Sequence, residues 1–344
     1  MITVVVGGQF GSEGKGKIAH WIARRGAAAA VRVGGSNSGH TVVGWDNRLY
    51  SFRHLPTAAL LDGVLCVLPA GSYLDADVLV EEIERVGLTP DRLAIDPNAQ
   101  LITEDDRESE KRWGLKEAIG STGSGTGAAV ARRVSRRGSV RTVRDDPRLA
   151  PFVAEAVTRL RGVLDADGRI VIEGTQGFGL SVLHSPYYPN ATSRDTTAAA
   201  AVAEAGLSPL DVDEVVLVLR AYPIRVAGDS GPLPHETDWD TITQHSGSPA
   251  PILERTTVTG RVRRVGEFDS HIARLAIAAN QPTMIVMNHV DYVDAGCASG
   301  KLSPKASEFL RRVSCGIDHS IDYVGVGPAE VVPVAGAPSR VAAA

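Results

Sequence analysis

Six short apolar runs, rich in β-branched residues, punctuate the chain at 2–6, 30–33, 64–68, 170–172, 215–219 and 284–287. They do not alternate with polar residues, and continuous apolar runs of this length fit strands buried on both faces, as in a parallel sheet. Between them the period lengthens. Ile18, Trp21 and Ile22 fall at i, i+3 and i+4, and the segment 75–86 sets Val78, Leu79, Ile83 and Val86 against acidic neighbours, the pattern of amphipathic helices. The alternation predicts an α/β fold with a mainly parallel central sheet flanked by helices. Two stretches rich in Gly and Ser, 34–39 and 120–127, are too polar and flexible for core and read as functional loops. No internal repeat or break in composition forces a boundary. Residues 1–344 are therefore expected to form one domain, with a frayed Ala/Pro/Gly-rich tail at 335–344.

Composition narrows the function classes. With 344 residues, 43% of them hydrophobic and 22% charged, the chain can bury a large core without disulfide or metal staples. A formal net charge of −4 argues against a protein that lives on nucleic-acid backbones, which call for a basic excess. Cys66, Cys297 and Cys315 are odd in number and widely spaced, so neither a disulfide framework nor a zinc site is indicated, and a reducing cytoplasm is expected. No stretch approaches the roughly 20 apolar residues of a membrane span. The first residues run into a strand without the basic segment of a secretory signal.

The run 2–6 is followed by Gly7-Gly8-Gln9-Phe10-Gly11-Ser12-Glu13-Gly14-Lys15-Gly16-Lys17 and then by the first helical pattern. Strand, glycine turn and helix start together form an anion-binding arrangement: glycines let backbone N–H groups approach phosphate oxygens, and the helix N-terminus adds positive potential. The match to a generic P-loop is imperfect, because Gln9 stands where the first Gly belongs and Gly16 replaces the Mg²⁺-binding Ser or Thr. On its own, this loop could equally be a tight βα turn with a solvated lysine.

Longer context separates the two. Residues 8–17 resemble the Gly-x-Gln-Trp-Gly-Asp-Glu-Gly-Lys-Gly-Lys signature of adenylosuccinate synthetases, and further matches follow in that family's order. These are Gly34-Gly35-Ser36-Asn37-Ser38-Gly39-His40-Thr41, the turn 120–127 with Ser135-Arg136-Arg137-Gly138 after it, Glu173-Gly174-Thr175-Gln176-Gly177, Thr192-Ser193 with Thr196-Thr197, and Thr259-Gly260-Arg261 with Arg263-Arg264. The departures are informative too. Ser12 stands where the family has Asp, Phe10 where it has Trp, and Asn288-His289-Val290-Asp291 where it has a guanine-reading Thr-Lys-x-Asp. In these respects the chain resembles the phage branch of the family, which converts dGMP to a succinylated precursor of 2,6-diaminopurine DNA.

The resemblance implies a two-step ligation with Mg²⁺: a nucleoside triphosphate, here ATP or dATP, phosphorylates O6 of dGMP, and the amine of L-aspartate then displaces phosphate at C6. Phosphorylation is needed because an amide-like O6 is a very poor leaving group, so the protein's task is positioning and charge neutralisation. The implied triphosphate residues are Gly14, Lys15, Gly16, Lys17, Gly39, His40, Thr41, His289, Asp291 and Gly327. Ser12, Asn37, Thr122, Arg136, Gln176 and Thr192 would bind the purine nucleotide, with Arg136 reaching in from a second copy of the chain in a homodimer. Val226, Thr257, Thr259, Arg261 and Arg263 would hold aspartate, guanidinium groups being suited to carboxylates. The implied catalytic set is Ser12, Lys15, His40 and Gln176, and Mg²⁺ would take oxygens from Ser12 and Gly39 besides phosphates and water. Neither nucleic acid nor membrane is an expected partner, and the expected location is cytoplasmic, that of the host if a phage encodes the chain.

Ser12 is the telling position. In the usual enzyme the Asp takes the purine N1 proton, which a neutral Ser cannot do at neutral pH. A shorter hydroxyl instead leaves room for the 2-amino group of guanine. Two other readings are an ordinary GTP-dependent synthetase acting on IMP, against which Ser12 and His289 count, and a nucleotide-binding regulator without catalysis, which would have no use for the 257–264 loop.

Overall fold

The computed structural model describes residues 1–256 and 260–334, with the backbone alone at 298 and 299. The tail expected to fray lies outside the described residues. Nine strands form one sheet. From one edge to the other they run Glu330–Pro333, Tyr323–Val326, Met284–Asn288, Val212–Arg220, Ile2–Gly7, Arg169–Glu173, Ala27–Arg32, Leu65–Leu68 and Leu93–Ile95. All are parallel except Glu330–Pro333, which closes one edge antiparallel to Tyr323–Val326. Each of the six apolar runs falls on a strand of this sheet, although Val33 and Val64 lie one residue outside theirs. Both helical patterns are helices, Lys15–Ala23 and Ala76–Val86, the second capped by the Asp75 carboxylate accepting from the Val78 amide.

Burial on both faces explains the unbroken apolar runs. Along Ile2–Gly7, Val4 and Val6 join a core with Ala198, Val202, Ile272 and Leu310, whereas Val5 faces the opposite core of Ile18, Ile22 and Val216. A smaller cluster around Phe52, Leu79, Leu93 and Leu149 supports the far edge. Parallel strands point their C-terminal ends the same way. The loops that follow Gly7, Arg32, Glu173, Arg220 and Asn288 therefore emerge along one edge of the sheet, on strands adjacent or nearly adjacent to one another, which is where open α/β sheets place ligands. Among the described residues, no helix is long and apolar enough to cross a membrane.

Candidate active site

The first glycine loop is folded around a carboxylate. Glu13 is fully buried; its Oε1 accepts from the amides of Gln9 at 3.1 Å and Gly11 at 2.8 Å, and its Oε2 from Lys15 Nζ at 2.7 Å. Gly7 and Gly177 pass so close to this carboxylate that a Cβ at either would collide with it. Ser12 is exposed at a φ of 55°, in the left-handed region that few non-glycine residues adopt. Its carbonyl is held by Arg220, whose NH1 donates at 2.9 Å.

Arg220 is wholly buried and reaches Glu254 at 2.5 Å, and the same carboxylate pairs with Arg263 at 3.1 Å. Burial works against the Glu254 charge, but Arg220, His289 and Arg263 together outweigh it, and the carboxyl is held down at about 2.

His40 opens the hairpin strand His40–Val43 and is anchored from behind. Its Nδ1 makes a very short hydrogen bond to Glu173, and Arg32 NH1 lies 2.7 Å from Nδ1 and 2.9 Å from Nε2. Burial, then the Arg32 charge, pushes the imidazole down to about 3, so the ring is neutral at pH 7. With Nδ1–H donated to Glu173, Nε2 is left as the acceptor for Arg32, a tautomer assigned from the neighbours. The other Glu173 oxygen accepts from the Thr57 amide at 2.9 Å and lies 2.8 Å from its hydroxyl.

At the far end of the loop, Asn288 Nδ2 donates to the Glu13 carbonyl at 2.7 Å, and His289, at a φ of 61°, packs 5.0 Å from the Tyr292 ring. Burial and the Arg220 charge hold the His289 imidazole near 3, neutral at pH 7. Lys17 Nζ donates to the Gly327 carbonyl at 2.9 Å. Burial lowers its ammonium to about 8, against the opposing pull of Asp291 and Glu330. The turn 120–125 is braced like the first loop: buried Glu110 accepts from the amides of Gly125 at 3.0 Å and Gly127 at 2.6 Å, at the start of helix Thr126–Ser135.

These loops enclose one cavity of about 980 Å³. Ser12, Gly14, Lys15, Gly16, Lys17, Asn37, Gly39, His40, Thr41, Thr122, Gln176, Thr192, Val226, Arg261, Arg263, His289 and Gly327 all border it. Its size lies at the upper end of the about 300–1,000 Å³ that single small-molecule sites span. Two expected residues are not on its wall. Asp291 sits behind it, half-buried and within electrostatic reach of Lys17, and Arg136 is exposed at the end of helix Thr126–Ser135. Thr257 and Thr259 lie outside the described residues.

The family model for adenylosuccinate synthetase matches residues 4–146 and 141–298, which takes in seven of the nine strands of the sheet and the loops around the cavity other than that at Gly327. The chain belongs to the adenylosuccinate synthetase family. Curated relatives include the adenylosuccinate synthetases of Methanocaldococcus jannaschii, 35% identical over 95% of this chain and 94% of that protein, and of Pyrococcus horikoshii, 33% identical over 94% and 95%. Among solved structures, the cyanophage S-2L succinoaminodeoxyadenylate synthetase (PurZ), bound to dGMP and to dATP as an energy donor, superposes with a TM-score of 0.81 at 31% identity, covering 98% of this chain and 96% of that one. The fully ligated adenylosuccinate synthetase from Plasmodium falciparum, at 20% identity and a TM-score of 0.83 over 96% and 99%, shares the fold. As a member of this family, the chain is a nucleotide-binding carbon–nitrogen ligase.

Four carboxylates that order the synthetase cavity went unassigned in the sequence: Glu13, Glu110, Glu173 and Glu254. Glu13 and Glu173 stand inside recognised motifs and Glu254 three residues before Thr257, so a lone acid beside a glycine loop was the available signal.

Proposed function

We propose that this synthetase joins L-aspartate to C6 of dGMP at the expense of ATP or dATP, giving 2-amino-2'-deoxy-N6-succinyladenylate. The observation that carries the reading is Ser12: a short neutral side chain at the cavity wall, in a loop whose other family features are intact. The dGMP and dATP bound by PurZ support it. His289 supports an adenine donor, since the lysine of the family's guanine-reading segment is absent.

In this reading the whole chain works as one unit. Lys15 and the amides of 14–17 hold triphosphate oxygens, which requires the Lys15 ammonium to turn from Glu13 towards the phosphates. Asn37, Thr122 and Thr192 offer amide and hydroxyl donors to the monophosphate, and Arg136, remote from its own cavity, serves that of a second copy in a homodimer. Gln176 contacts the purine. His40 stabilises charge on the transferring phosphoryl group, which requires its Nε2 to take up a proton once the anionic phosphates are bound, the state that Glu173 at Nδ1 favours. Arg261 and Arg263, with Thr257, Thr259 and the Val226 backbone, receive aspartate, and Thr41, Asp291 and Gly327 complete the donor site.

Among the described residues no three His, Cys, Asp or Glu side chains gather as a metal cage. That suits a hydrated Mg²⁺ carried mainly by substrate phosphates, with the Ser12 hydroxyl and Gly39 carbonyl as the protein's oxygen donors. The ion would neutralise charge on the phosphoryl oxygens.

An ordinary reaction of IMP with GTP is the second reading, favoured by the two curated relatives named above, both adenylosuccinate synthetases, and by the retained Asp291. Purified protein with aspartate, Mg²⁺ and a matrix of IMP, GMP and dGMP against ATP, dATP and GTP, followed by the ultraviolet change at the purine, separates them. Turnover of IMP equal to or above that of dGMP refutes the proposal.

A further inference from the structure

Glu254 gathers groups from three distant parts of the chain onto one carboxylate. Arg220, from the end of the longest strand, donates to it and to the Ser12 carbonyl; Arg263 donates to it from the segment that follows the 257–259 loop. The Arg263 amide also donates to the Glu254 carbonyl at 2.9 Å, so both ends of Arg263 are fixed to one residue. With NH1 engaged by Glu254, Arg263 Nε remains a buried donor without a partner. With NH1 taken, the edge of the guanidinium that contains Nε is the one left to take a carboxylate through two parallel hydrogen bonds.

We infer that Glu254 is a positioning residue: it holds Arg263 with that edge turned to the amino-acid substrate, and through Arg220 it ties the amino-acid loop to the purine loop at Ser12. This rests on the reading of Arg263 as an aspartate contact. One anion beside two arginines also cancels half of their combined charge, so selection of aspartate among dianions leans more on geometry than on excess positive potential.

The test separates the two half-reactions. Phosphoryl transfer is followed without aspartate, by positional isotope exchange within ¹⁸O-labelled ATP in the presence of dGMP or IMP, whichever the enzyme turns over; the full reaction gives kcat/KM for aspartate. In Glu254→Gln, an isostere without charge, kcat/KM for aspartate is expected to fall at least tenfold more than the exchange rate. In an Arg263→Ala background, the same substitution should have little further effect on aspartate. Equal losses in both half-reactions, or additive losses in the double variant, overturn the inference. Should Glu254→Gln fail to bind nucleotide, Glu254→Asp decides: it keeps the charge but shortens the reach, and an unchanged kcat/KM for aspartate there refutes positioning. If Arg263→Ala alone leaves aspartate kinetics unchanged, the fault lies with the reading of Arg263; if it raises the KM for aspartate while Glu254→Gln does not, only the role of Glu254 falls.

Discussion

Replacing Ser12 with Asp distinguishes a lost base from a gained specificity. The backbone tolerates the change: Ser12 sits at a φ of 55°, a conformation that Asp adopts more readily than most residues, and Arg220 holds its carbonyl rather than its side chain. If Ser12 were a defect, restoring the family carboxylate would recover part of the 10²- to 10⁴-fold that a well-placed base contributes. If Ser12 makes room for the 2-amino group, the larger side chain overpacks the guanine site. Overpacking costs about 1–3 kcal/mol, which is about 5- to 150-fold in rate. Hypoxanthine has no 2-amino group and escapes the clash. Activity on dGMP should therefore fall while activity on IMP holds or rises. The decisive quantity is kcat/KM for dGMP divided by that for IMP, measured in both proteins. An equal or larger ratio in Ser12→Asp would refute the steric argument and move purine selection elsewhere in the cavity.

Further outcomes follow from other parts of the site. In steady-state kinetics ATP or dATP should outperform GTP as donor, because His289 replaces a guanine-reading lysine; a preference for GTP would show the histidine to be neutral in this respect. Inactive Arg136→Ala and inactive Lys15→Ala protomers, mixed under dissociating conditions, should regain part of the activity, since mixed dimers would contain one intact composite site; demonstrably mixed but dead dimers would remove Arg136 from the partner's site. The Glu254 carboxyl falls from 4.5 to about 2 on folding, which corresponds to on the order of 3 kcal/mol. For a depressed acid that stability is present above pH 4.5 and lost as pH falls through 2, so the gap in urea midpoint between wild type and Glu254→Gln should narrow on acidification; a constant gap would contradict the assignment.

The sheet was legible in sequence where strands are buried on both faces, because such strands write unbroken apolar runs. Its remaining strands were not. Leu93–Ile95 has three residues, Tyr323–Val326 contains Gly325, and Glu330–Pro333 is a partly exposed edge ending in proline, so none presents a run that stands out from a loop. The same division holds in the site. Glycine loops announce themselves because their chemistry is local, and the cavity wall contains nearly every residue they implied. The bracing contacts do not, since Arg220 meets Ser12 across 208 positions and Glu173 meets His40 across 133. Nothing near Glu173 or Arg220 in the chain records such a partner.

The pairing of Lys15 with Glu13 bears on how the synthetase behaves in a solution crowded with small anions. A bare lysine at the start of a helix would attract inorganic phosphate or sulfate continuously. Here the ammonium is already neutralised by a buried carboxylate at 2.7 Å, so a simple ion must displace that carboxylate with nothing else to offer. A triphosphate brings a base and sugar whose contacts elsewhere in the cavity can offset the exchange. Under the proposed role of Lys15, the resting loop would thus act as a filter, favouring a whole nucleotide over the far more abundant fragments of one.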